Sequence, residues 1–121
     1  MMLTSYYARL NKLPDDYVPI AISLSVPNGI DIPKYKKLAP AWDVLDRYKR
    51  DGDWDAYTKQ FNHQLERLNP NEVYNELLSI AGTSKIVLMC YEGLDKNCHR
   101  HLVAKWFKDN GYDCFEFYAQ D

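Results

Sequence analysis

The fold is decided by the apolar run Ile86-Val87-Leu88-Met89-Cys90, which lies within residues 85–91. Successive side chains of a β-strand point to opposite faces of its sheet. Because every position of this run is apolar, both faces of the strand must be covered by protein. Strands covered on both faces are typical of parallel sheets. We therefore expect residues 85–91 to form a central, parallel strand.

Further strands and helices are predicted on both sides of this run. Strand patterns cover residues 1–6, 18–24 and 114–118. Helical patterns cover residues 42–48, 54–68 and 97–110, and another helix begins after the N-cap Asn69 and ends at Gly82. Strands separated by helices favour parallel pairing through right-handed crossovers. The sequence thus predicts an α/β fold, with a small, mostly parallel sheet of about four strands flanked by about four helices.

Length and composition set limits on the class of protein. A chain of 121 residues has room for a single α/β domain spanning residues 1–121. Its hydrophobic content of 46% and charged content of 26% exclude a disordered chain. A net charge of -2 excludes an overall basic nucleic-acid-binding protein, and no apolar run is long enough to span a bilayer. Three cysteines are typical of a reduced protein, so we expect a cytoplasmic location and no membrane partner.

Reactive side chains cluster directly after the central strand, in the segment Cys90-Tyr91-Glu92-Gly93-Leu94-Asp95-Lys96-Asn97-Cys98-His99-Arg100. The segment ends in the first turn of a helix, where free N–H groups and the helix dipole favour anions. A thiol at a helix start is shifted toward the thiolate, and an arginine can hold a phosphate-like anion with two donors. We therefore predict a small anionic ligand or nucleotide as partner. The predicted catalytic residues are Cys98, His99 and Glu92, and the predicted binding residues at this corner are Arg100 and Cys90.

The same residues also admit structural roles. Cys90 continues a buried strand, His99 shares a helix face with Leu102, and Arg100 could tie the helix start to Glu92. A zinc site is disfavoured because zinc knuckles prefer two to four residues between cysteines, and seven residues separate Cys90 from Cys98. No metal and no other cofactor is predicted.

Polar side chains near the ends of the first two strands are candidates for the same pocket. If those strands run parallel to the third, Ser5, Tyr6 and Ser23 lie at the edge where α/β sheets bind ligands. Tyr35 is added as a binding residue from residues 26–41, a long segment with three of the six prolines. Loops of that length inside a compact domain are often functional.

A local basic stretch offers a different function. Residues 34–50 contain six basic and two acidic side chains, with aromatic residues interleaved: Lys34, Lys36, Lys37, Arg47, Lys49 and Arg50 against Asp43 and Asp46, with Tyr35, Trp42 and Tyr48 between them. Such a surface could contact nucleic acid. The alternative is a solvated helix face with aromatic core residues behind it.

The segment from the central strand to Arg100 resembles the signature of the domain of unknown function 488 family. The similarity lies in the pattern C-x-E followed by C-H-R at a helix start, with weaker likeness at Thr4-Ser5-Tyr6-Tyr7, residues 20–27, Leu38-Ala39-Pro40 and Tyr57. The resemblance implies a small cytoplasmic α/β protein of the bacterial and phage-associated kind. It also implies that Cys90, Glu92, Cys98, His99 and Arg100 are the residues that mark the family, without implying a particular reaction.

Two functional hypotheses and one structural hypothesis follow. The first is an anion- or nucleotide-binding site, with thiol-dependent enzymatic chemistry, at the C-x-E and C-H-R corner. The second is a non-catalytic nucleic-acid or protein-binding module that uses the basic surface of residues 34–50. The third is that the corner is structural, with Arg100 and His99 fixing the start of the helix.

Overall fold

A computed structural model of the protein describes residues 1–93 and 97–118. The described residues form a four-stranded sheet of β1 (Met2–Tyr6), β2 (Val18–Ala21), β3 (Ile86–Cys90) and β4 (Cys114–Glu116), in the order β2-β3-β1-β4. All strand pairs are parallel. β3 pairs with β1 on one side and β2 on the other, and all five of its residues are buried. The small parallel α/β fold and its central strand are therefore confirmed.

Within residues 1–93 and 97–118, four α-helices accompany the sheet: α1 (Trp42–Asp51), α2 (Trp54–Glu66), α3 (Pro70–Ala81) and α4 (His99–Asp109). The predicted boundaries of α3 are confirmed. The Asn69 side chain accepts hydrogen bonds from the N–H groups of Asn71 and Glu72, and Gly82 ends the helix with a φ of 70°. The longest of the four has 13 residues, and no helix in the described ranges could cross a bilayer.

The direction of the crossovers places all four helices on one face of the sheet. The connections from β2 to β3 and from β3 to β4 step across the sheet in the same direction, so right-handed crossovers lie on the same side. The connection from β1 to β2 steps the opposite way and passes through a 3₁₀ segment, Tyr7–Lys12, on the other face. The larger core lies under the helices, and a smaller core of Tyr7, Ala21, Val87 and Met89 lies under the 3₁₀ segment.

This topology creates a switch point between β1 and β3. The two strands are neighbours, yet the chain leaves them toward opposite faces of the sheet. In open α/β sheets, ligands bind in the crevice at the carboxyl ends of such strand pairs. Tyr6 and Cys90 are register partners at those ends. The segment that carries the reactive residues therefore begins at the switch point.

β2 and β4 end two or more residues earlier than the sequence predicts. β2 ends at Ala21, whereas the alternation extended to residue 24, because Ser23 turns the chain by donating its hydroxyl to the Ser25 carbonyl at 2.6 Å. β4 ends at Glu116, although the Phe117 N–H still donates to the Thr4 carbonyl at 2.8 Å.

The buried central strand predicts a large asymmetry between core and surface truncations. Leu88 in β3 is fully buried, whereas Ile80 in α3 is 40% exposed. Leu88→Ala should lower the free energy of unfolding by about 2–5 kcal/mol, through lost burial and the cavity left behind. Ile80→Ala should cost less than about 1 kcal/mol. Urea unfolding of both variants measures the difference, and similar losses would contradict the central position of β3.

Candidate functional site

Arg100 is the organising residue of the corner. It lies in the first turn of α4, and its side chain is 0% exposed. Nε and one Nη donate to the two carboxylate oxygens of Glu116 at 2.9 and 3.1 Å. The remaining N–H groups donate to Cys90 Sγ at 3.1 Å and to the backbone carbonyls of Glu92 and Gly93. A guanidinium carries five donors, and all five are used by these described residues.

The charge partner of Arg100 differs from the one that the sequence suggested. The expectation was the Glu92 carboxylate, but the ion pair is made with Glu116, and Glu92 contributes its backbone carbonyl. The reason is geometric, since Glu92 is exposed beyond the end of β3, whereas the Glu116 side chain is only 8% exposed. Because every N–H donor of Arg100 is occupied by protein, the structure favours a structural role for Arg100 over the binding of an anionic ligand.

Glu116 was not among the site residues predicted from the sequence. Its carboxylate also accepts a hydrogen bond of 2.6 Å from the Thr4 hydroxyl, so it links β1, β4 and α4. A signal was present, because Glu116 lies two residues after Cys114, which is fully buried, and so points to the same face of the sheet. A carboxylate on a buried face requires a cation, and Arg100 supplies it.

The two cysteines of the motif lie against each other. Cys90 ends β3 and Cys98 is the N-cap residue of α4, and their sulfur atoms are joined as a disulfide. Both side chains are almost fully buried. Their Cα atoms are 7.6 Å apart, which is more than the roughly 4.4–6.8 Å that disulfides usually span. The third cysteine, Cys114, is a free buried thiol, and burial raises its pKa to about 12.

His99 has a defined orientation. Its Nε2 lies 2.6 Å from the backbone oxygen of Ile22, and its Nδ1 lies 3.8 Å from Cys98 Sγ. A carbonyl oxygen can only accept, so Nε2 carries the proton and Nδ1 presents its lone pair to the sulfur. Burial lowers the pKa of His99 to about 4, which keeps the ring neutral at pH 7. The edge-to-face contact with Phe61 holds the ring in place.

A cavity of about 320 Å³ opens beside these residues, at the carboxyl ends of β2 and β3. Cys90, Glu92 and His99 line one side of it, and Lys49 of α1 adds a positive charge. Ser23, Leu24, Ser25, Pro40, Leu45 and Tyr91 complete the lining. No ion pair joins Lys49 to another residue in the described ranges. A second, smaller cavity of about 80 Å³ is lined by Cys98 and shares Lys49, Glu92 and His99.

The structure brings only some of the predicted polar residues to this cavity. Ser23 lines it and shares a 2.5 Å hydrogen bond with Tyr7. Tyr6 lies at the corner, with its ring centroid 5.3 Å from the Arg100 guanidinium carbon. Ser5 points to the face of the sheet that the 3₁₀ segment covers, and its hydroxyl has no hydrogen-bond partner among the described residues.

Tyr35 is not brought to the cavity in the described part of the chain. It is buried in the core, and its hydroxyl donates to Glu76 of α3 at 2.9 Å. The residue therefore serves as a link between the long connecting segment and α3. The sequence placed it near the ligand because its segment follows β2. The segment does return to the end of β2, where the Tyr35 N–H donates to the Ala21 carbonyl at 2.8 Å, but the Tyr35 side chain packs into the core toward α3 and not into the cavity.

The basic stretch of residues 34–50 is partly neutralised. Three of its six cations form ion pairs with acidic neighbours: Lys37 with Glu76, Arg47 with Asp51, and Arg50 with Asp46. Trp42 at the start of α1 is 65% exposed, so the surface does carry an accessible aromatic ring. The pairing lowers the positive potential that nucleic-acid binding requires. A nucleic-acid or protein-binding role for this surface stays a hypothesis.

The Cys90–Cys98 disulfide and the neutral His99, at the carboxyl ends of β2 and β3 in a parallel sheet, define a small α/β protein with a candidate cysteine–histidine site. The sequence model of DUF488-N3a, described as the active DUF488-N3 subclade, matches residues 4–111. The chain therefore belongs to the DUF488 family, as the motif indicated. Comparisons with curated proteins and with solved structures gave no significant match.

The Arg100–Glu116 ion pair predicts that two glutamates at the same corner contribute unequally to the free energy of unfolding. Glu116→Ala leaves the Arg100 guanidinium buried without its counter-charge and should lower the free energy of unfolding by about 3–5 kcal/mol. Glu92→Ala removes an exposed carboxylate and keeps the carbonyl that Arg100 uses, so it should cost less than about 1 kcal/mol. Denaturant unfolding of both variants decides between the partners. A larger loss of unfolding free energy for Glu92→Ala than for Glu116→Ala would instead identify the Glu92 carboxylate as the charge partner of Arg100.

Proposed function

We propose that the protein binds a small anionic ligand, a nucleotide or a related phosphate compound, in the cavity at the ends of β2 and β3, and that its chemistry depends on the thiols at the cavity wall. The observation that carries this proposal is the shared lining. One concave surface is lined by Cys90, His99, Glu92 and Lys49. Convergent polar groups in a concave site at strand ends are typical of a ligand pocket.

The charges of the lining support a ligand with both an anionic and a hydroxyl-bearing part. Lys49 supplies the positive charge that an anion requires, and Ser25 supplies a hydroxyl group. Glu92 would repel a bare anion, but a carboxylate accepts hydrogen bonds from sugar hydroxyls. A nucleotide carries both kinds of group, so it suits this lining better than an inorganic anion alone.

The thiol nearer to the ligand would be Cys90. Cys90 lines the larger cavity, and Arg100 donates an N–H to its sulfur at 3.1 Å, a contact that stabilises a thiolate. Cys98, which the sequence favoured as the reactive thiol, lines the smaller cavity behind it and lies beside His99 Nδ1. The catalytic set proposed from the sequence, Cys98, His99 and Glu92, is thus extended to Cys90. The description of the matching family model as an active subclade agrees with a catalytic role.

Thermal-shift measurements with inorganic phosphate, AMP and ATP test the proposal on the reduced protein. Ligand at about 100-fold its Kd should raise the Tm by roughly 10 °C, because binding to the native state stabilises it. Lys49→Glu should abolish most of this rise, because it reverses the charge in the cavity. Lys36→Glu is the matched control, since Lys36 is exposed on the same stretch and outside the cavity lining.

Two results would contradict the proposal. One is the absence of any shift with all three compounds in the wild-type protein. The other is an equal shift in the Lys49→Glu and Lys36→Glu variants, which would place binding away from the cavity. Bound ligand should also slow alkylation of Cys90 by iodoacetamide, and an unchanged rate at saturating ligand would separate the thiol from the ligand site.

A further inference from the structure

Three buried side chains at the corner converge on one point. The Sγ atoms of Cys90 and Cys98 and a ring nitrogen of His99 all lie within 4.8 Å of one another. We propose that, in the reduced protein, these three atoms bind a single Zn²⁺ ion at the wall of the β2–β3 cavity. The proposal deepens the anion site and rests on it only for the role of the cavity.

The orientation of His99 is the one that a metal ligand requires. Its Nε2–H donates to the Ile22 carbonyl, which fixes the ring and leaves Nδ1 as the free donor atom. Histidines that bind metals almost always hold their second nitrogen in this way. Nδ1 lies 3.8 Å from Cys98 Sγ, close to the roughly 3.6 Å that separates nitrogen and sulfur ligands of a tetrahedral zinc ion.

The spacing of the two cysteine backbones also suits a bridging ion. Their Cα atoms are 7.6 Å apart, beyond the usual span of a disulfide. A metal ion inserted between two sulfurs lengthens the bridge, because each Zn–S bond is about 2.3 Å long. The N–H that Arg100 donates to Cys90 Sγ, at 3.1 Å, stabilises the thiolate that zinc binds.

The ligand set selects zinc and leaves one coordination position open. Two thiolates and one imidazole are borderline-soft donors, which favour Zn²⁺ over the oxygen-seeking Mg²⁺ and Ca²⁺. Three protein ligands with an open fourth position are typical of catalytic zinc sites, whereas structural sites have four. Cys90 and His99 line the cavity, so the open position would face it. An anionic ligand in the cavity could then complete the coordination of the metal.

Cobalt substitution tests the proposal directly on the full chain. The disulfide is first reduced with a phosphine, which is oxidised as the two sulfurs take up two electrons and two protons. Co²⁺ added to the reduced protein should then bind at one equivalent per chain, with release of the thiol protons. The expected signature is a sulfur-to-cobalt charge-transfer band with the intense d–d bands of tetrahedral Co²⁺, both lost when one equivalent of Zn²⁺ displaces the cobalt.

Matched variants place the ion at this cluster. Cys90→Ser and Cys98→Ser should each reduce the charge-transfer band and weaken Zn²⁺ binding by more than about 100-fold, beyond the loss typical of changes around a metal's ligands. His99→Gln should weaken binding while keeping both sulfur ligands. Cys114→Ser and His101→Gln are the controls, because both residues lie outside the cluster and should leave the spectrum unchanged. A spectrum lost in Cys114→Ser and retained in Cys90→Ser would overturn the assignment.

A measurement on the wild-type protein keeps the test valid if a variant fails to fold. Zn²⁺ should slow alkylation of Cys90 and Cys98 in the reduced protein by at least tenfold, as mapped by mass spectrometry. The rate at Cys114 should not change. The metal site would be overturned if Zn²⁺ left the alkylation rates of Cys90 and Cys98 unchanged. It would also be overturned if the folded, reduced protein gave no tetrahedral cobalt spectrum.

The outcome for the metal can be distinguished from the outcome for the anion. The thermal-shift series with phosphate and nucleotides is run on metal-free and on zinc-loaded protein. A ligand shift without zinc binding rejects the metal site and retains the proposed function. Zinc binding without any rise in Tm on addition of phosphate or nucleotide retains the metal site and rejects the proposed anion binding. A ligand shift that grows in the zinc-loaded protein supports the open coordination position.

Discussion

The corner depends on one buried ion pair, between Arg100 at the start of α4 and Glu116 at the end of β4. A cation in the first turn of a helix is opposed by the helix dipole. The Glu116 carboxylate and two backbone carbonyls offset that repulsion and the loss of hydration. Because Thr4 also donates to Glu116, the pair connects β1, β4 and α4 through a single carboxylate. Removal of either charge would leave the other buried without a partner.

Arg100 also holds Cys90 and the residues that follow β3. One N–H of Arg100 reaches Cys90, and two others hold the carbonyls of Glu92 and Gly93, so the chain is fixed as it leaves β3. The β3 side of the cavity wall is therefore held by hydrogen bonds, as is required of a site that must keep its groups in a fixed geometry.

Much of the fold could be predicted from the sequence, because local patterns determine it. The two-sided apolar run 86–90 fixes the central strand, and the cap at Asn69 and the stop at Gly82 fix α3. The motif also predicted that Cys90, Cys98, His99 and Arg100 lie at one corner after β3, and the structure brings these four residues together there. The partner of Arg100 could not be predicted in this way, because Glu116 lies 16 residues away and the choice depends on which strand neighbours β1. Cys90, Cys98 and His99 were predicted to share one site, but a metal there was disfavoured, because zinc-knuckle spacing describes distance along the chain and not the distances between side chains in the fold.

A double-mutant cycle on Arg100 and Glu116 tests the central claim most directly. Arg100→Met and Glu116→Leu replace the two charges by apolar side chains, singly and together, and urea unfolding gives the four stabilities. If the pair organises the corner, the double variant should lose less free energy of unfolding than the two single variants lose together. The difference, which is the coupling free energy, should be about 2–3 kcal/mol. Losses that add to within about 0.5 kcal/mol would show that the two side chains act independently, and would contradict the account.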